Sequence, residues 1–237
     1  MKGGDRFWAV VPCKDLSAAK QRLALVLSPA ERRSLACAML EDVLAALTAV
    51  ARLAGVAVIT RDPDVAVLAR RWGVRLLADL RHEGPNPAVT SALRSLAADG
   101  ASGILAIPAD VPLVTSAEIE AIMADHGKPP AVTVVPALAD LGTNAIACSP
   151  ADAIPLCFGP RSYVRHRNAA RARGINAHTL RLPGLGLDLD RPDDLLTFAA
   201  EASPTRSYAL LQSMKIMERL DEGEGSVGIT PRLQPVS

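Results

Sequence analysis

Aromatic residues make up only 3% of this 237-residue chain, so it has no run of stacking platforms for single-stranded nucleic acid. Neither sign of charge is in excess. The formal net charge of +1 excludes a global basic field for nucleic acid and an acidic tail alike. Cysteines are few and scattered at Cys13, Cys37, Cys148 and Cys157, with no C-x-x-C pair. That pattern suits neither a disulfide framework nor a zinc ribbon, and reduced thiols in a cytoplasmic protein are expected. No apolar span reaches 18 residues, and the run in "MKGGDRFWAVVP" is too short for a signal peptide, so no membrane segment or leader is expected. A Walker loop is missing as well. His82, His126 and His178 lack metal-ligand spacing, and His166 reads as a helix-surface residue or one standing behind a site.

What is present is a chain 49% hydrophobic and 22% charged, ample for one real core. Short apolar runs alternate with longer amphipathic ones. "FWAVVP", "VAVIT", "VRLLAD", "GILAIPAD" and "AVTVVPA" read as strands. Between them, 28–53, "PDVAVLARRW", "NPAVTSALRSLAAD" and "SAEIEAIMADH" read as helices. Ser28 as N-cap, Pro29 at the first position and Glu31 at the third form a capping-box signature; Asn86 and Pro87 resemble another helix start. This alternation predicts an α/β fold with a mostly parallel sheet and helices on both faces. After residue 142 the order loosens: "NAIACS", "AHTLRL" and "GLGLDLD" read as strands, "SYVRHRNAARARG" and "PDDLLTFAAEA" as helices. Residues 1–202 read as one domain. Residues 203–237 read as a C-terminal extension, partly helical and then Gly/Pro/Ser-rich and flexible. The long helix and the apolar C-terminal segment are candidates for packing in a homodimer or at home.

In open α/β sheets, ligands gather at the carboxyl ends of the strands, and four stretches qualify. In "GLGLDLDRPDDL", strand alternation points Asp188 and Asp190 to the same side, with Leu187 and Leu189 to the other. Like charges so close call for a cation between them, and a divalent metal is the obvious one. Asp110, braced by Pro108 and Pro112 in "AIPADVPLV", supplies a third carboxylate, a set suited to Mg²⁺ shared with substrate phosphate. In "VPCKDLSAAKQRL", Lys14 and Lys20, two of only five lysines, cluster with Arg22 after the first strand, which suits a polyphosphate. Gly142 and Thr143 in "GTNAIACS", with Gly159 and Ser162 in "FGPRSYVRH", offer small hydroxyls and backbone N–H groups to a small phosphate or carboxylate. Asp193 and Asp194 read as ordinary first-turn acids.

In this order, "VPCKDLSAAKQRLALVLSPAERRSLACAMLEDVLAAL", "IPADVPL", "GTNA", "FGPRSYVRH" and "LDLDRPDDL" resemble the guanylyltransferases that build the deazaflavin coenzyme F-420, over about residues 8 to 200. The resemblance implies a nucleotidyltransferase fold, Rossmann-like and similar to the molybdenum-cofactor guanylyltransferases. It also implies a reaction: GTP joined to 2-phospholactate, phosphoenolpyruvate or 3-phosphoglycerate, with release of pyrophosphate. By the same resemblance Asp110, Asp188 and Asp190 match Mg²⁺ positions, and Thr143, Gly159 and Ser162 match those holding the phosphorylated acid. Lys14 and Lys20 match the loop facing the GTP phosphates, so Lys14, Lys20 and Asp110 are the expected catalytic groups. At "GPNPAVTSAL" the chain departs from the family pattern, with no leucine before Asn86 and a proline after it; Asn86 is either a guanine contact or a helix cap. The alternatives are a molybdopterin-type nucleotidyltransferase (whose Gly-rich first loop is missing), a glycosyltransferase with a D-x-D metal site, and a non-catalytic nucleotide-binding protein.

Overall fold

The computed structural model describes residues 6–16, 20–78, 85–216 and 218–219. Seven strands form one sheet in the order β3-β2-β1-β4-β6-β5-β7. They are β1 (Phe7–Pro12), β2 (Leu53–Thr60), β3 (Arg75–Ala78), β4 (Gly103–Ala106), β5 (Ala131–Pro136), β6 (Thr143–Ser149) and β7 (His178–Thr179). β1 pairs in parallel with both β2 and β4, so the chain reverses its direction of winding at β1. Only β6 is antiparallel to its neighbours β4 and β5. The reason is the short connection from β5, residues 137–142, which allows a hairpin but not the crossover a parallel pair needs. As a result β6 begins, at Thr143, at the end of the sheet where β1 and β4 finish.

Alternation along each strand fills two cores. In β1, Phe7, Ala9 and Val11 enter one core and Val10 the other; in β6, Ala145 and Ala147 oppose Ile146 and Cys148. The first core is closed by α1 (Pro29–Thr48), α4 (Ser116–Asp125) and α7 (Pro192–Ala199), the second by α3 (Pro85–Ala98) and α5 (Ser162–Ala172). α2 (Pro63–Arg71) also packs on the first. The capping box at the start of α1 is present: Ser28 Oγ accepts from the Glu31 N–H, and Glu31 Oε2 from the Ser28 N–H. α1 stops at Thr48, short of the expected 53. Val50 continues the apolar pattern because it plugs the core from a turn, at 4% exposure.

Three expected elements differ. "GLGLDLD" is not a strand: Pro183–Gly186 form a single helical turn, α6, and residues 187–190 join no sheet. Gly184 packs so tightly on the Leu113 backbone that a Cβ would lie 2.2 Å from its carbonyl oxygen. "AHTLRL" shrinks to the two residues of β7. α3 begins at Pro85, so Asn86 stands inside the helix and does not cap it; its side chain lies outside the described residues, as do Lys2 and the tail beyond Arg219.

A boundary at residue 202 would run across tight packing. α8 (Arg206–Ser213) lies on α1, and buried Asp42 of α1 accepts from the backbone N–H groups of Arg206 (2.8 Å) and Ser207 (2.9 Å) and from Ser207 Oγ (2.6 Å). Leu211 and Ile216 complete the first core. The long helix and the apolar C-terminal segment thus pack on each other. Among the described residues no helix is long and apolar enough to cross a membrane.

Candidate active site

The crevice between the carboxyl ends of β1 and β4, where the winding reverses, is the expected ligand position in such a sheet. The chain leaving β1 is held there by two anchors. Cys13 N–H bonds to the Ile59 carbonyl at 2.9 Å, and Leu16 N–H bonds to Asp62 Oδ2 at 2.8 Å. Asp62 is buried because its other oxygen caps α2 through the N–H groups of Asp64 and Val65. Lys20 then adopts a left-handed conformation, φ 52°, which turns the chain into the short helical segment Gln21–Leu23. Its Nζ reaches Asp110 Oδ2 at 2.7 Å and Asp190 Oδ1 at 2.5 Å. Arg22 adds a longer, exposed pairing to Asp190 at 3.6 Å. Lys14 is exposed and makes no ion pair among the described residues.

Asp110 follows β4 in a turn, and its backbone carbonyl accepts the Leu189 N–H at 3.0 Å. That bond and buried Leu189 fix the extended segment carrying Asp188 and Asp190. Asp194 completes the hold: its Oδ2 accepts from the backbone N–H groups of Asp190 (2.9 Å) and Arg191 (2.7 Å), so it does more than an ordinary first-turn acid. Asp188 Oδ1 accepts from Asn144 Nδ2 at 3.1 Å, and Asn144 also donates to the Gly186 carbonyl. The "LDLD" alternation therefore brings both aspartates to one site, although the segment is not a sheet strand.

Two of the three carboxylates here share one buried ammonium. Burial opposes charge on Lys20, yet Asp110 and Asp190 outweigh it and raise its pKa. Burial likewise opposes ionisation of Asp190, but Lys20 and Arg22 pull its pKa below the ordinary value. Asp188 makes no ion pair among the described residues, and the pull of Lys20 on it is outweighed. Burial, then the Asp110 charge, push its pKa up to about 6. A surplus of carboxylate around one amine fits a divalent cation in its donor chemistry. Among the described residues, however, no three His, Cys, Asp or Glu side chains stand as a ready metal cage; the Lys20 ammonium lies between two of the candidates. Cys13, beside this cluster, is pushed up to about 12 by burial and then by Asp62 and Asp110, so it is no thiolate nucleophile.

At the start of β6, Thr143 and Asn144 send their side chains to opposite sides. Asn144 reaches the carboxylates, while Thr143 reaches α5. The Thr143 and Ser162 hydroxyls were expected to be open; they are buried and bonded, Ser162 Oγ donating to Thr143 Oγ1 at 2.9 Å. The Ser162 N–H is taken by the Gly159 carbonyl at 3.0 Å. Gly159 itself is exposed, with φ 117°, a conformation suited to glycine. His166 is not on the helix surface: it is fully buried, within 3.0 Å of Thr143 Oγ1. Sequence reasoning gave no role to Asn144 or Asp62, read Asp194 only as a first-turn acid, and left His166 either on the helix surface or behind a site, of which the second holds. For His166 a signal existed, since Ser162, His166 and Ala170 share one helical face by their spacing of four.

A mostly parallel sheet with such a crevice is the nucleotidyltransferase architecture. The fold is similar to a protein assigned as a nucleotide-diphospho-sugar transferase from Desulfovibrio desulfuricans (TM-score 0.70, 16% identity, 90% of this chain and 97% of that one). It is also similar to a nucleotidyl transferase from Methanothermobacter thermautotrophicus (TM-score 0.60, 18% identity, 89% and 100% covered). The model of the guanylyl transferase CofC-like family matches residues 7–228, and the chain belongs to that family. Among its relatives are a phosphoenolpyruvate guanylyltransferase of Rubrobacter xylanophilus, 40% identical over 81% of this chain and 93% of the relative, and a 3-phospho-D-glycerate guanylyltransferase of Colwellia psychrerythraea, 35% identical over 82% and 92%. A 2-phospho-L-lactate guanylyltransferase of M. thermautotrophicus is 29% identical over 94% and 97%. The chain is thus a guanylyl-transferring enzyme, and the molybdopterin-type and non-catalytic alternatives are not favoured.

Proposed function

We propose that the enzyme joins the guanylyl group of GTP to the phosphate of a three-carbon acid. Phosphoenolpyruvate is the first candidate, because relatives at 38–40% identity carry that name. The observation that carries the reading is adjacency: Asn144 touches the carboxylate cluster and its neighbour Thr143 the buried hydroxyls, so a nucleotide at the first and a small anion at the second would meet at the start of β6. An oxygen of the acid's phosphate attacks the α-phosphorus of GTP; the new P–O bond forms as the α–β bridge breaks, and pyrophosphate leaves with the electron pair. Lys20, Arg22 and the exposed Lys14 stabilise charge on the leaving group, and Thr143 and Gly159 orient the acid. Asp110, Asp188 and Asp190 would hold Mg²⁺, which when bound supplies counter-charge for the meeting of two anions. No covalent enzyme intermediate is required. We assign the product to the making of coenzyme F-420, following the motif resemblance, and the reaction to the cytoplasm, which the four free cysteines support.

The test is pyrophosphate release from purified protein with GTP and Mg²⁺, offering phosphoenolpyruvate, 3-phosphoglycerate and 2-phospholactate singly, with ATP and CTP as controls. Release that requires GTP and one acid is expected. Turnover of a nucleotide sugar with loss of nucleoside diphosphate, in place of GTP and acid, or no pyrophosphate release with any acid in folded protein, would overturn the reading.

A further inference from the structure

The buried ring of His166 is tied at both nitrogens. Nε2 lies 2.9 Å from the backbone N–H of Cys157, and Nδ1 lies 3.0 Å from Thr143 Oγ1. An amide N–H can only donate, so Nε2 carries no proton. Burial, and then Arg165, push the ring's pKa down to about 4, leaving it neutral near pH 7 with its one proton on Nδ1. Nδ1–H therefore donates to Thr143 Oγ1, which already accepts from Ser162 Oγ. Both lone pairs of the threonine oxygen are engaged. Its own proton meets no acceptor among the described residues, and a polar proton left unmatched in a buried place calls for a partner.

We infer that His166 and Ser162 are positioning residues that aim the Thr143 hydroxyl proton at an oxygen of the phosphorylated acid. The inference rests on the proposed reaction and divides labour within the hydroxyl pocket. Thr143 touches the substrate; Ser162 contributes its hydroxyl to Thr143, not to the acid. The arrangement is directional, because the Cys157 N–H selects the tautomer and the tautomer selects the direction of the threonine O–H bond.

Two substitutions separate the ends of the ring. H166Q places an amide oxygen near Nε2, which keeps an acceptor for Cys157 but removes the donor to Thr143. H166N places an amide nitrogen near Nδ1, which keeps that donor. Steady-state kinetics with GTP and phosphoenolpyruvate should show the KM for the acid raised about tenfold in H166Q and T143V, with the KM for GTP within about twofold of wild type. H166N should restore the acid's KM to within about threefold. Adding H166Q to T143V should change nothing further, since no hydroxyl is left to aim. A further loss in that double variant, or equal losses for acid and GTP, would show that His166 only supports the fold and would overturn the inference. A T143V enzyme with wild-type KM for the acid would overturn it too, while leaving the guanylyl transfer itself intact. Nitrogen-15 spectra of the wild-type protein give a readout free of turnover: the Nδ1–H tautomer is expected, and an Nε2–H ring would sink the relay even if no acid were accepted.

Discussion

Lys20 Nζ stands 2.7 Å from Asp110 Oδ2 across 90 positions of sequence, and 2.5 Å from Asp190 across 170. One amine thus neutralises two of the three carboxylates proposed for Mg²⁺. On the proposed reading, ammonium and divalent ion would be alternative counter-charges for the same oxygens. Binding of the ion would release Lys20 to the phosphates, so the two roles expected of this lysine's surroundings are in competition.

Lys20→Met tests that competition. In EDTA the variant should lose about 2–4 kcal/mol of stability, because Asp110 is left partly buried and unpaired and Asp190 keeps only its long, exposed pairing to Arg22. Millimolar Mg²⁺ should then raise its Tm more than it raises that of wild type, since no amine has to be displaced. Equal Mg²⁺-induced shifts, read by thermal unfolding, would show that lysine and ion do not share the oxygens. Turnover should fall at least about 100-fold.

Asp188→Asn should separate stability from activity. Burial raises this carboxyl from 3.8 to about 6, so the folded state binds its proton more tightly than the unfolded state does. Its ionisation therefore works against the fold, with a loss that grows through pH 4–6 and is complete above about pH 6. Without metal at pH 8, the asparagine variant should be more stable than wild type by about 1–2 kcal/mol, after discounting for solvent, and should match it below pH 4. Its turnover should drop about 100- to 1000-fold. Denaturant titrations at both pH values check the first statement, and a variant less stable at pH 8 contradicts it.

Local signals were legible because local chemistry writes them. Ser28, Pro29 and Glu31 state the start of α1, and they form it as written. The apolar runs of β1, β2 and β4 state buried parallel strands. The direction of β6 follows from the short link after β5, but its insertion between β4 and β5 was not legible, because that depends on what lies beside it. "GLGLDLD" has the period of a strand, but the Gly184 contact with Leu113 and the Leu189 bond to Asp110 draw it out of the sheet. Asp110, Asp188 and Asp190 were nameable as carboxylates at expected strand ends. Lys20 as their partner was not, since nothing local couples residues so distant. Thr143 and Ser162 were nameable, but their burial was not, because it follows from how α5 docks.

Residues 203–216 belong to the packed domain if the Asp42 clasp matters. Asp42→Asn keeps the volume but weakens three hydrogen bonds to α8, and should cost about 2–3 kcal/mol. Removal of residues 203–237 should cost more, since it also uncovers the core around Leu211 and Ile216. Urea unfolding measures both, and a truncated chain as stable as the full one would restore the boundary at 202.

His166 gives acid sensitivity of a definite sign. The ring's pKa falls from 6.5 to about 4 on folding, so the folded state holds the proton less tightly than the unfolded chain. Above about pH 6.5 both states are neutral and the group contributes nothing. As pH falls from 6.5 towards 4, protonation favours unfolding, by up to about 3 kcal/mol at about 1.4 kcal/mol per unit. Asp188 moves the opposite way over much of the same range, so the effect is read in the D188N background. There, wild-type His166 should show stability declining across pH 6.5 to 4, and H166N should flatten that decline because no group titrates at the site. An unchanged slope in H166N would mean that the ring is accessible to protons in the folded state, and that the Cys157 bond does not hold its tautomer.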